Sequence, residues 1–166
     1  MRLLLFGNSG SGKTTLARRL AAAHGLPVLS LDAIVWDPER VAVPRAPAAV
    51  RADLQAFLER HPAWILEGCY GDLVDAARAH ATLLVFLNPG CDACLAHCRA
   101  RPWEPDKYAT VAEQDARLPF LLAWVAGYYT RDDDLSLAAH RRLFDAHAGP
   151  KVELTGAETI AAFTPA

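Results

Sequence analysis

An α/β fold with a mainly parallel sheet wrapped by helices on both faces is predicted by three observations on this 166-residue sequence. Segments patterned as strands alternate with segments patterned as helices along the whole chain. The strand segments LLLF, WIL and TLLVFL are apolar without alternation, as expected of strands covered on both sides. The first strand runs directly into a glycine-rich loop that opens a helix, and in such sheets ligands bind outside the carboxyl ends of the strands.

Residues 2–6 read as a buried strand and residues 13–24 as a helix with Leu16 and Leu20 inward, closed by Gly25 and Pro27. Residues 28–31 make a second strand. Residues 48–60 make a helix entered through Pro47 at its first turn and stopped by His61-Pro62, and residues 63–66 make the third strand. A short helix around 73–79 leads to the fourth strand, 82–87. Asn88-Pro89 then opens a helix carrying CDACLAHC, which ends near Arg101-Pro102. Its Cys91, Cys94 and Cys98 lie at i, i+3 and i+7 on one face, so they read as a buried apolar stripe rather than a zinc or redox site, with His97 turned away from it.

Residues 103–109 form a connector rich in proline and charge that interrupts the alternation. Thr110 with Glu113 has the spacing of a capping box and launches a helix to about residue 129, with Leu118, Leu121, Leu122 and Val125 inward. A second helix spans about 135–147, with Asp132, Asp133 and Asp134 at its start, where they complement the helix dipole. Arg131 beside them reads as a local ion pair rather than a clamp or metal site. Residues 151–154 make the fifth strand, and Thr155 with Glu158 repeats the capping-box spacing before a short terminal helix.

Composition bounds the partners. With 52% hydrophobic and 22% charged residues, the chain reads as one globular domain over residues 1–166. A net charge of -2 leaves no basic excess to drive binding to nucleic acid or to an anionic membrane surface. The apolar start is too short for a secretory signal and the stretch 120–129 far too short to cross a bilayer, so a cytoplasmic protein with reduced thiols is expected, as a monomer or homodimer.

The loop GNSGSGKTT, residues 7–15, carries the chemistry. Gly7, Gly12, Lys13 and Thr14 match G-x-x-x-x-G-K-[ST] in full, after a strand and before a helix, which is the context this nucleoside-triphosphate motif requires. The glycines let the chain curl so that successive N–H groups point at an anion, so Gly7, Asn8, Ser9, Gly10, Ser11, Gly12, Lys13, Thr14 and Thr15 are the expected phosphate-binding residues. Lys13 supplies charge to the terminal phosphates and the Thr14 hydroxyl a ligand to magnesium.

Two acids at neighbouring strand ends point to a reaction beyond binding. Asp32 closes the second strand in LSLDAIVW and Glu67 the third in AWILEGCY, so both reach the crevice of the glycine loop. Phosphoryl transfer uses one such group to orient or deprotonate an acceptor and another to hold magnesium; which of the two is the base stays open at this level, as does simple capping of the following turn. The fourth strand ends in Asn88 rather than an acid, which counts against the alternative of a regulatory ATPase whose partner reads ATP against ADP.

Together, GNSGSGKTT, LSLDAIVW and ILEGCY resemble the small P-loop kinases: adenylate, shikimate and gluconate kinases and, above all, the adenylate-kinase-related topology modulation proteins. The resemblance is strongest over residues 1–70. It implies a P-loop NTPase fold of three α/β/α layers with a five-stranded parallel sheet, the P-loop strand central, ATP with magnesium as donor and a short lid between the fourth and fifth strands. It implies a small-molecule phosphoryl acceptor, with Asp32 facing it, Glu67 and Gly68 near magnesium and acceptor, and Arg99 and Arg101 clamping the transferring phosphate from a lid over about residues 99–110. That connector, with Lys107, also reads as a solvated basic loop. Asp32 is followed by Ala33 and Ile34, where shikimate kinases carry paired acids, no glycine run follows the third strand, and the lid is too short for that of long adenylate kinases, so neither shikimate nor AMP is the expected acceptor. Trp36 and Tyr70, past the two strand ends, are candidate substrate contacts together with Asp32 and Glu67, with Arg45 and Arg51 nearby; the two aromatics equally suit core or rim positions.

Overall fold

The computed structural model describes residues 1–38, 43–105 and 107–165. Five strands, β1 (Arg2–Gly7), β2 (Val28–Ser30), β3 (Trp64–Gly68), β4 (Leu83–Leu87) and β5 (Lys151–Leu154), form a sheet in the order β2-β3-β1-β4-β5, all pairs parallel. Parallel neighbours need crossovers, and helices supply them. These are α1 (Lys13–His24), α2 (Leu31–Val35), α3 (Pro47–Arg60), α4 (Gly71–Arg78), α5 (Cys91–Arg99), α6 (Val111–Gly127), α7 (Leu137–Ala146) and α8 (Ala157–Ala162). The central strand is β1, whose end becomes the glycine loop.

The three inner strands β3, β1 and β4 are apolar along most of their length because both faces are covered, whereas the edge strand β5 carries Lys151 and Glu153. Leu3 and Leu5 of β1 pack with Ile65, Val85, Leu87 and, from α1, Leu16 and Leu20. Leu4 and Phe6 face the other way, among Trp64, Leu66, Leu84 and Phe86 and the buried residues of α2, α3 and α4. The same alternation aims the end of β3: Glu67 follows Ile65 toward α1, and Gly68 follows Leu66 toward α2.

Gly68 has no room for a side chain. A Cβ there would lie 2.6 Å from Leu31 Cδ1 and 2.7 Å from Leu31 Cβ, and Leu31 is fully buried. Gly68→Ala is therefore expected to displace α2 and cost about 2 kcal/mol, within the range of overpacking in a well-filled core. Chemical denaturation measures it, and a loss below about 0.5 kcal/mol would show that this contact yields freely.

Among the boundaries that differ from the sequence reading, three move a named acid or a cap. The second strand ends at Ser30 and not at Leu31, so Asp32 lies in the first turn of α2 rather than at a strand end; Leu31 and Ile34, at i and i+3, bury one helical side together. Helix α7 begins at Leu137, capped by Ser136, whose hydroxyl accepts the Ala139 N–H at 3.1 Å, which leaves Asp132, Asp133 and Asp134 in the preceding loop. At α8 the cap is Gly156 with Thr159, not Thr155 with Glu158: Gly156 N–H donates to Thr159 Oγ1 at 3.1 Å. The α6 cap has the predicted spacing, with Thr110 Oγ1 accepting the Glu113 N–H at 3.1 Å.

The cysteine helix is an apolar neighbour of α6. Cys94 and Cys98 are buried against Val125, with Leu95, Leu121 and Leu122 around them, and burial pushes the Cys94 thiol up to about 11. Between the two helices, Gln114 fastens the connector: its carbonyl accepts the Glu104 N–H at 2.8 Å and its amide donates to Pro102 O at 3.1 Å. Asp106, within the expected lid, lies outside the described residues. Among the described residues no helix is long and apolar enough to cross a membrane.

Candidate active site

The glycine loop closes against its neighbours at three left-handed positions, Gly7 (φ 148), Gly10 (φ 76) and Gly12 (φ 93). A Cβ on Gly7 would sit 2.2 Å from Leu87 O of β4, and one on Gly10 would sit 2.4 Å from Cys94 O of α5. The loop is held from outside as well. Asn8 donates its side-chain amide to Val125 O of α6 at 2.9 Å, and His97 Nδ1–H donates to Gly10 O at 2.7 Å. His97, turned from the cysteine stripe as predicted, thus braces the loop from α5, a role the sequence did not reveal.

The loop presents positive groups inward. The first intrahelical bond of α1 runs from Leu16 N to Gly12 O at 2.9 Å, so the N–H groups before Leu16 have no partner within the helix, and the first turn carries no acid. Lys13 is buried, with Nζ donating to Asn8 O at 2.8 Å. Ser11 Oγ is buried without a hydrogen-bond partner among the described residues. An unpaired hydroxyl, free amides and a buried ammonium in one curl fit polyphosphate oxygens.

Thr14, one residue into α1 from Lys13, donates its hydroxyl to Glu67 Oε1 at 3.1 Å. This pairing arises from the alternation that turns Glu67 toward α1, where its carboxylate is buried. A hydroxyl and a carboxylate side by side are hard oxygen donors of the kind magnesium prefers.

A second group of side chains assembles one strand over. Tyr70 Oη donates to Asp32 Oδ1 at 2.7 Å and accepts from Trp36 Nε1 at 2.8 Å. Lys107 Nζ, from the connector, stands 3.9 Å from Asp32 Oδ2 and 3.2 Å from Glu104 Oε1. Three predicted acceptor residues thus form one chain, Trp36 to Tyr70 to Asp32. The backbone of Trp36 is steadied by a bridge to Pro44.

Cys69 joins the two groups. It lies two residues after Glu67 and one before Tyr70, and burial pushes its thiol up to about 11. Its carbonyl accepts from His140 Nε2–H at 2.8 Å, and His140 Nδ1 in turn accepts from Tyr128 Oη at 2.8 Å. A carbonyl can only accept, so Nε2 carries the proton. His140 is fully buried, and burial, helped by Lys13 and Arg131 against the opposing pull of the Cys69 carbonyl, lowers it to about 4.

This gives a pH dependence of stability with a defined sign. Between about 6.5 and 4 the unfolded chain binds a proton at His140 that the folded chain refuses, so stability rises with pH across that window. About 3 kcal/mol is expected to be lost on acidification through it. His140→Gln should flatten the dependence by about one proton in denaturation curves run from pH 7 to pH 4. An unchanged slope would contradict the neutral assignment.

The arginines divide. Arg101 pairs with Glu104 at 3.2 Å, whereas Arg99, at the end of α5 two residues past His97, makes no hydrogen bond or ion pair among the described residues. Arg45 donates to Ile34 O at 2.8 Å and pairs with Asp53 at 2.7 Å. Arg131 donates to Trp124 O at 2.8 Å and Leu135 O at 2.7 Å, lies 3.8 Å over the Trp124 ring and pairs with Asp133 at 3.3 Å, as the local ion-pair reading anticipates. Thr15 and Ser9 make no side-chain hydrogen bond among the described residues. Asn88, which the sequence reading puts at the end of the fourth strand, follows β4 and donates its side-chain amide to Glu153 Oε1 at 3.0 Å.

Comparison with known proteins adds the family. A gluconokinase from Sinorhizobium meliloti 1021 superposes with a TM-score of 0.54 at 19% identity, over 96% of this chain and 85% of that one, and so shares the fold. A sugar kinase from Janibacter sp. HTCC2649 (TM-score 0.49, 17% identity, 93% and 84% covered) and a shikimate kinase from Acinetobacter baumannii in complex with shikimate (0.43, 21%, 86% and 90%) are more distant in shape. No curated protein sequence matches. The model of the AAA domain family matches residues 3–116, the stretch that holds the glycine loop, Asp32, Glu67 and the helix of Arg99; the chain belongs to that family.

Proposed function

We propose that the protein is an ATP-dependent kinase that transfers the terminal phosphoryl group to a small-molecule acceptor. The observation that carries this reading is the presence of two groups at neighbouring strand ends: a phosphate-binding curl after β1 with Lys13 inside it and, one strand over, Tyr70 after β3 holding Asp32, whose second oxygen stands beside Lys107. A hydrolase that only reads nucleotide state has no need of the second group. One solved protein that shares the fold is a gluconokinase, which is in keeping with transfer to a small molecule.

In this reading the loop amides and Lys13 hold the donor phosphates, and Arg99 and Arg101 reach them from the α5 side when the connector closes as a lid. Thr14 and Glu67 are the residues that would hold magnesium, which when bound neutralises charge on the phosphate oxygens. Asp32 orients the acceptor hydroxyl and takes its proton as the new P–O bond forms, while the bond from the γ-phosphorus to the bridging oxygen breaks and ADP departs. The connector excludes water, favouring the acceptor over hydrolysis.

The test is ADP production from ATP and magnesium across pooled nucleosides, nucleotides, sugars and hydroxy acids, with Lys13→Ala as control. A pool that accelerates ADP formation with the natural protein alone supports the kinase. A slow rate unaffected by every pool, with ATP still bound, would favour a nucleotide-reading regulator.

A further inference from the structure

Resting on the kinase reading, the charges and rings of the second group narrow the acceptor: we infer that it is an uncharged ring bearing two neighbouring hydroxyls, as in a sugar or the ribose of a nucleoside. The cations bordering this side of the crevice are already neutralised by the chain's own carboxylates. Arg45 pairs with Asp53 at 2.7 Å, Arg51 with Asp72 at 4.0 Å and Arg131 with Asp133 at 3.3 Å. Lys107 stands between Glu104 and Asp32. A phosphate or carboxylate on the acceptor would have to break one of these pairs and then approach Asp32 itself.

More negative charge lies close by. Gly71, next to Tyr70, donates its N–H to Asp134 O at 3.2 Å, and a Cβ on Gly71 would meet that oxygen at 2.4 Å, so the exposed Asp134 is docked at the start of α4, while Asp133 is paired with Arg131. An anionic acceptor is repelled there. A cationic one would have to displace Lys107 from beside Asp32 Oδ2.

What the group offers instead suits a neutral polyol. Asp32 Oδ1 is taken by Tyr70, leaving Oδ2 to accept from one hydroxyl, and Lys107 Nζ, 3.9 Å away, is a donor for the oxygen of its neighbour. Trp36 spends its indole N–H on Tyr70 yet stays 39% exposed, so its ring is left as an apolar platform for the C–H face of a ring.

The experiment supplies full-length protein, ATP and magnesium with three pools: neutral sugars and nucleosides, anionic nucleoside monophosphates and hydroxy acids, and amino sugars. The expected result is at least tenfold stimulation of ADP formation by a neutral compound and none by the other two, with single compounds separating free sugar from nucleoside. Trp36→Ala should raise the KM of that compound about tenfold, and Trp36→Phe, which keeps a ring, should stay within threefold of the natural protein. Stimulation by an anionic or amino compound alone would leave the kinase standing and overturn the acceptor class, as would equal KM values for the Ala and Phe variants. If ATP binds and no pool stimulates, the kinase reading fails and the acceptor class with it.

Discussion

Asp32→Asn is expected to lower kcat with the true acceptor by roughly 10²- to 10⁴-fold, the usual contribution of a positioned general base. The substitution isolates the chemistry because the amide oxygen still accepts the Tyr70 hydroxyl that holds Asp32 Oδ1 at 2.7 Å. Asp32 is also half-exposed, so little packing is disturbed. The KM for ATP should stay within about twofold, since the donor contacts are made by the glycine loop and not by α2. Steady-state kinetics in both substrates checks this. Undiminished turnover would remove Asp32 from the role of base and pass it to Glu67, the other carboxylate of the site, which accepts from Thr14.

Lys13→Ala should be nearly as severe, for an electrostatic reason. Lys13 is buried in the curl, where its charge is poorly screened, and removing one such preorganised donor typically costs roughly 10²- to 10³-fold in kcat. The fold should tolerate the loss. Asn8 O, which accepts from Lys13 at 2.8 Å, also receives the Ser11 N–H at 3.2 Å and so keeps a partner. The expected penalty is about 1 kcal/mol. Natural protein at an ATP concentration of 100 times Kd should gain about 2.7 kcal/mol of stability, and the variant should gain little at that concentration. A variant stabilised by ATP as strongly as the natural protein would contradict the placement of Lys13 on the phosphates.

Much of the framework was legible in the sequence because its signals are local. The continuous apolar strands, Pro47 at the first turn of α3, the cap at Thr110 and the spacing of GNSGSGKTT each state their structure within a few residues, and the parallel sheet with the loop strand in the middle is built from them. The cysteine stripe was readable in part for the same reason: Cys94 and Cys98 are buried as expected, whereas Cys91, in the first turn of α5, stays half-buried and outside their cluster. Asp32 was readable as a site residue but not as a helical one. Burial of Leu31 against Gly68 turns the chain there, and that contact spans 37 residues of sequence.

The links between elements were not legible. Nothing local says that Trp36 donates to Tyr70, that His97 reaches Gly10 or that His140 fixes the Cys69 carbonyl, because each partner lies on another element. Lys107 was seen as part of a basic connector, but only the fold brings it to Asp32. The run of three aspartates misled for a related reason: helix-start acids are common, whereas here Ser136 caps α7 and Asp134 docks against Gly71.

The central claim, that the glycine-loop group and the Asp32–Tyr70 group exist to pass a phosphoryl group to a small molecule, is tested most directly by following the γ-phosphorus of ATP. Phosphorus NMR of protein, magnesium, ATP and the stimulating pool should show a new phosphomonoester resonance growing in step with ADP, with little inorganic phosphate and no growth with Asp32→Asn. Inorganic phosphate as the sole product, at a rate the pool does not change, would contradict it.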